Sequence, residues 1–133
     1  MKNKVIGGIL FLMGTLILFT PRYIFPTCEY QGFKEMACSH TGTAEMFVGF
    51  IIDVAAAGIF QSKSNDALRW LALVVFSGAI SVLLLPQAIG YCHSSAMPCH
   101  YGTVPALRLF GVITLVVSFT GFLVTFRKTG GRT

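Results

Sequence analysis

The chain has 133 residues, of which 54% are apolar and only 11% charged, less than half the roughly 25% charge of a soluble domain. Such a chain has one domain's length and too few polar groups to cover a water-facing surface; with a mean hydropathy of +0.73, its solvent is lipid. The net charge of +5 would suit a nucleic-acid partner in a soluble protein, but no Lys/Arg-rich patch with interleaved aromatics is present, so nucleic acid is excluded and the basic residues are read as topology signals.

In chain order, Lys2 and Lys4 introduce a first apolar run, Val5 to Thr20. A bilayer core takes about 20 helical residues, within a range of about 17 to 25. With flanking residues the run predicts a span over about 5–22. A cleaved signal peptide starts in the same way, but no Ala-x-Ala-like site follows Thr20. Phe25-Pro26-Thr27 before Cys28 is no lipobox either. A polar segment, 21–43, follows. A second run, Met46 to Phe60, predicts a helix over 44–60, and Lys63 and Arg69 lie in the connection after it. A third run, Leu71 to Leu85, predicts a helix over 70–86. A second polar segment, 86–105, leads to the last run, Ala106 to Phe126, with Arg127, Lys128 and Arg132 beyond it. The expected fold is all-α: a polytopic membrane protein of four transmembrane helices.

Lysine and arginine give the orientation. Lys2, Lys4, Lys63, Arg69, Arg127, Lys128 and Arg132 fall on one side; Arg22, Lys34 and Arg108 fall on the other. The positive-inside rule then puts both termini in the cytoplasm of a multi-pass cell-membrane protein. Loops 21–43 and 86–105 face outward.

Those two loops hold every cysteine and histidine of the chain, in a repeated cassette. One copy is Met36-Ala-Cys-Ser-His-Thr-Gly-Thr43, preceded by Cys28. The other is Met97-Pro-Cys-His-Tyr-Gly-Thr103, preceded by Cys92 and His93. The likeness continues from Ala44-Glu-Met-Phe-Val-Gly49 to Ala106-Leu-Arg-Leu-Phe-Gly111, with Val104-Pro105 as an insertion. The chain therefore reads as two parallel helical hairpins related by an axis along the membrane normal.

Three readings of the cassette follow. Outside the cytoplasm cysteines oxidise, and four of them allow three pairings. The simplest joins Cys28 to Cys38 and Cys92 to Cys99, each bridge worth roughly 2 to 3 kcal/mol. Thr41 or Thr43 ahead of Ala44, and Thr103 ahead of Pro105, then stand where N-caps belong. The second reading is redox. Two outer cysteine pairs on four helices resemble the quinone-linked disulfide-generating membrane proteins, in which a low-pKa thiolate needs a nearby cation; His40, His93 and His100 are the candidates. The pairs are ten and seven residues apart, however, with no Cys-x-x-Cys. The third reading is metal or haem. Met36, Cys38, His40, Met97, Cys99 and His100 are soft and borderline ligands suited to copper(I) or zinc, while the Cys-x-x-Cys-His haem-attachment motif is missing.

Two acidic positions stand out in the helices. Asp53, at the middle of the second run, costs about 2.5 to 3.5 kcal/mol on insertion scales and is expected to face the interior, with Ser77, Ser81, Thr114 or Ser118 as hydrogen-bond partner. Glu45 and Arg108 sit at the outer ends of helices two and four and are expected to pair across the repeat. No Walker motif, Ser-His-Asp set, His-Glu-x-x-His or Gly-rich phosphate loop is present, so an enzyme is not the expectation.

The four-helix layout, with Met36 to Glu45 and Met97 to Pro105 leading into helices, resembles a family of small bacterial and archaeal membrane proteins defined by a domain of unknown function. Ser39, between Cys38 and His40, departs from the strict Cys-His pair of that family's outer segment. Its members are often encoded beside ABC-type permeases with large outer domains. The resemblance implies an accessory or interaction subunit of a larger membrane complex, or a homo-oligomer. The alternative is a redox or metal-handling protein acting through the cassette.

Overall fold

The computed structural model describes residues 2–24, 37–90 and 99–130, with side chains over 4–24, 40–90 and 100–127. Four helices carry the fold: α1 (Lys2–Phe19), α2 (Ala37–Gln61), α3 (Asn65–Ala88) and α4 (Val104–Gly130). A π-turn, Thr20–Ile24, prolongs α1, and a second, Cys99–Thr103, leads into α4. Among the described residues four stretches are long and apolar enough to cross a membrane: Lys4–Ile24, His40–Gln61, Asn65–Ala88 and His100–Arg127. The protein is an all-α, multi-pass membrane protein.

Each helix is longer than its apolar run. Residues 37–43, expected in a loop, form the first turns of α2, so Thr41 and Thr43 lie inside a helix and are not N-caps. The cause is the low-dielectric surrounding: a backbone group left unpaired near the bilayer costs several kcal/mol, so polar side chains stay wound into the helix. Pro86, expected to open the second loop, is buried inside α3. It removes only the bond to the Val82 carbonyl. The helix continues to Ala88, and the Ile89 N–H donates to Leu85 O at 3.0 Å. Gly90 then takes φ 99°, the left-handed position that ends a helix and that only glycine adopts without cost.

The connection expected over 61–70 shrinks to the turn 62–64. The Ser62 N–H donates to Gly58 O at 2.9 Å, and the Leu68 N–H to Ser64 O at 3.1 Å. Asp66 in the first turn of α3 suits the positive end of that helix and lies 4.0 Å from Arg69.

The helices alternate in direction and close a ring. α1 packs most extensively on α2 and α3 on α4; α2 against α3 and α1 against α4 complete it. The two expected hairpins are thus the two tightest pairs. Large side chains such as Phe11, Phe47, Phe50, Val54, Leu109, Val112 and Val116 face outward. Much of the interior is small or hydroxylated: Ala55, Ala56, Gly78, Ala79, Thr114 and Ser118 are buried. This is the pattern of a bundle held by close packing, because lipid offers no hydrophobic drive between helices. The backbones of α1 and α2 nearly touch. A Cβ on Gly49 would stand 2.8 Å from the Leu18 nitrogen and 3.2 Å from Gly14 O, and one on Gly7 would stand 3.1 Å from the Phe60 nitrogen.

Candidate functional site

Burial fixes the register of the repeat. Thr41 and Thr103 are both buried, as are Glu45 and Leu107, Gly49 and Gly111, Ile52 and Thr114, and Ala56 and Ser118. Outward-facing pairs keep the same step: Phe47 with Leu109, Phe50 with Val112, Val54 with Val116. Every pair is 62 positions apart. The cassette runs differently: Met36 and Met97, like Cys38 and Cys99, are 61 apart, and His40 and His100 are 60 apart. The expected insertion at Val104-Pro105 therefore belongs to the cassette alignment, and the helices have none.

The starts of α2 and of the turn before α4 lie at the end of the bundle where α1 and α3 finish, the loop end. Thr41 Oγ1 donates to Gly90 O at 2.8 Å and so ties the start of α2 to the end of α3. Thr103, equally buried, immediately precedes Val104. Between these anchors His40 and His100 are exposed, and Tyr101 is 73% exposed, its ring edge-on to that of His100 at 5.7 Å. The remaining predicted site residues, Cys28, Met36, Cys92, His93 and Met97, lie outside the described residues. The side chains of Cys38 and Cys99 lie outside the described side chains, although their backbones are helical.

Glu45 and Arg108 do not pair. Glu45 is 0% exposed, and both of its carboxylate oxygens lack a hydrogen-bond partner among the described residues. Arg108 is exposed. The register explains the difference. Glu45 stands on the step of Leu107, which is 2% exposed, and so points inward. Arg108 stands on the step of Met46 and points away. One residue is about 100° of helix rotation, enough to put the two charges on different faces.

Asp53 is buried, as expected, about 12 Å further along α2 than Glu45 at 1.5 Å per residue. Its partner is on α1 rather than on α3 or α4. Thr15 Oγ1 lies 3.2 Å and 3.4 Å from the two Asp53 carboxylate oxygens, and also donates to Phe11 O at 2.9 Å. Ser77, Ser81, Thr114 and Ser118 instead donate to carbonyls of their own helices. The backbone is one turn away and always in reach. Gly14 makes room for the carboxylate; a Cβ there would collide with Asp53 Oδ1. Thr15 and Gly14 were legible only as parts of an apolar run. Interhelical hydrogen bonds in membranes average about 0.6 kcal/mol, with a maximum near 1.7. A Thr15→Val, Asp53→Asn double-mutant cycle in reversible detergent unfolding is therefore expected to give a coupling of about 0.5 to 1.5 kcal/mol. A coupling of zero removes the link.

No curated protein and no solved structure matches the chain. A match to a family does exist, and it runs from within α1 to near the end of α4, enclosing both cassettes and the whole repeat. Over residues 10–124 the chain matches the domain of unknown function DUF4418, and it belongs to that family.

Proposed function

We propose that this protein is a small accessory subunit that docks onto a larger membrane protein, such as an ABC-type permease, through its loop end. In this reading both termini are cytoplasmic, the cassettes are extracytoplasmic, and disulfides among Cys28, Cys38, Cys92 and Cys99 staple the docking face. The observation that supports it is the frame at the loop end. Thr41 and Thr103 are buried on the same step of the repeat, and Thr41 is bonded to the Gly90 backbone. His40, His100 and Tyr101 are presented outward beside them. Tyrosine anchors held on a rigid support are what protein interfaces use.

The test is a tagged chain solubilised mildly from its own membranes, with the mass of its complex read on a native gel. Tyr101→Ala is expected to release the small subunit from a heavier partner while leaving its thermal unfolding unchanged, because the Tyr101 side chain is 73% exposed. A complex whose mass is a multiple of 14.4 kDa would make the partner a second copy. A lone chain holding copper, zinc or haem, or one whose thiols exchange with a quinone, would favour the redox or metal-handling alternative through His40, His93, His100 and the cysteines.

A further inference from the structure

At the end of the bundle that carries the termini, α1 and α2 leave a groove of about 280 Å³ on the outer surface. It is lined by Gly7, Gly8, Phe11, Ala56, Ala57, Phe60 and Gln61. Its floor is open because Gly8 has no side chain and nothing stands within 4 Å of where its Cβ would be. Its walls are the half-exposed rings of Phe11 and Phe60. Both helices cross the membrane, so the groove opens sideways onto acyl chains.

The rim of this groove is basic. Lys4 Nζ lies 5.9 Å from the centroid of the Phe60 ring, the ring that forms the groove's wall. Lys63 is exposed in the turn just past Gln61. Among the described residues neither lysine has an acidic partner. The nearby acid of that turn region, Asp66, lies against Arg69, whose guanidinium stacks 5.1 Å from the Phe126 ring on α4. An apolar trough with Lys4 against its Phe60 wall, and with Lys63 two residues past Gln61 of its lining, suits a lipid with acyl chains below and an anionic phosphate above. Basic pockets between helices recognise such headgroups, and lysine binds phosphate as a point charge.

We infer that the α1–α2 groove is a binding site for an anionic phospholipid, with the headgroup phosphate held by Lys4 and Lys63 and an acyl chain seated over Gly8 between Phe11 and Phe60. This goes beyond the loop-end docking face and lies at the opposite end of the bundle, so either can fail without the other. A partner's transmembrane helix would fill the trough equally well but would have no use for a lysine without an acidic partner against its Phe60 wall.

The experiment is native mass spectrometry of the intact protein in detergent, titrated with palmitoyl-oleoyl phosphatidylglycerol or the matched phosphatidylcholine. The wild type is expected to retain one phosphatidylglycerol per chain and to prefer it over phosphatidylcholine. Each of Lys4→Gln and Lys63→Gln is expected to lower that preference about fivefold, the effect of one basic residue near an anionic surface. Gly8→Leu fills the floor of the groove; it keeps the helix, because leucine is a better helix former than glycine, and is expected to abolish retention of both lipids. Equal retention of the two lipids by the wild type overturns the inference. So does retention unchanged by Gly8→Leu. A heavier complex in native membranes that Gly8→Leu dissolves, with phosphatidylglycerol retention unaffected, also overturns it and assigns the groove to a partner helix.

Discussion

Replacing Gly49 by leucine is expected to destabilise the bundle by about 3 kcal/mol or more, at the upper end of what overpacking a well-filled interior costs. The reason is that the obstacle is backbone. A Cβ at this position meets the Leu18 nitrogen at 2.8 Å, the Leu18 Cα at 3.0 Å and Gly14 O at 3.2 Å. A side-chain obstacle can rotate away; a helix backbone cannot, so α1 and α2 must separate along their length. Separation also breaks the Thr15–Asp53 contact and opens the tightest of the four helix pairs. Gly8→Leu on α1 is the control, since it meets nothing within 4 Å and is expected to be neutral or stabilising by up to about 1 kcal/mol. Unfolding in mixed detergent, followed by the fluorescence of Trp70, compares the two. Equal midpoints would show that the helices do not approach at Gly49.

Replacing Glu45 by leucine is expected to act in the opposite sense and to stabilise the protein by about 1 to 3 kcal/mol, the usual cost of a buried polar group left without a partner. Glu45 is fully buried with neither carboxylate oxygen bonded among the described residues. The repeat itself supplies the replacement: Leu107 fills the equivalent step of α4. The converse change, Leu107→Glu, is expected to cost a comparable amount or more. The pair of variants is read by the same unfolding assay. If Glu45→Leu lowers stability instead, the carboxylate has a partner in the segments around the described residues, and the acid is structural. If it raises stability while the complex with a partner is lost, Glu45 is retained for that interaction and not for the fold.

The membrane class was legible from composition alone, and the four spans from apolar runs whose lengths are near those a bilayer requires. The spans' ends were less legible. The polar residues His40, Thr41 and Thr43 look like loop on a hydropathy reading, yet they are helical, because near lipid the backbone's own hydrogen bonds outweigh side-chain polarity. Pro86 was misleading for a similar reason: two residues before the end of α3 it sacrifices one bond, and the chain goes on to its glycine stop at Gly90.

The repeat shows the division most clearly. Its existence is written in the residues, since both cassettes and both following helices carry matching letters. Its register is written only in part. Matching Cys with Cys and Gly-Thr with Gly-Thr gives steps of 61 and 60, whereas matching Ala44–Gly49 with Ala106–Gly111 gives 62, the step that the buried faces of α2 and α4 keep. Identity of letters reports ancestry and composition; the inward face reports rotation about a helix axis, and a single residue rotates that face by about 100°. Glu45 and Arg108 are 63 positions apart, one more than the step of the buried faces, so Glu45 stands inside and Arg108 outside, where near-equivalent sequence positions suggested a pair.

By itself, then, the sequence determined the solvent, the number of crossings, the repeat and the interior placement of Asp53, because these depend on summed hydrophobicity and on the cost of a charge in lipid. Only the tertiary structure decided which helix answers Asp53, that Glu45 stands alone among the described residues, that Thr41 locks onto Gly90, and that Gly8 opens a groove beneath Lys4. Each of these depends on how helices are rotated and how closely they approach, and in a lipid-solvated bundle that is set by glycines whose chemistry says nothing until a neighbouring backbone comes within reach.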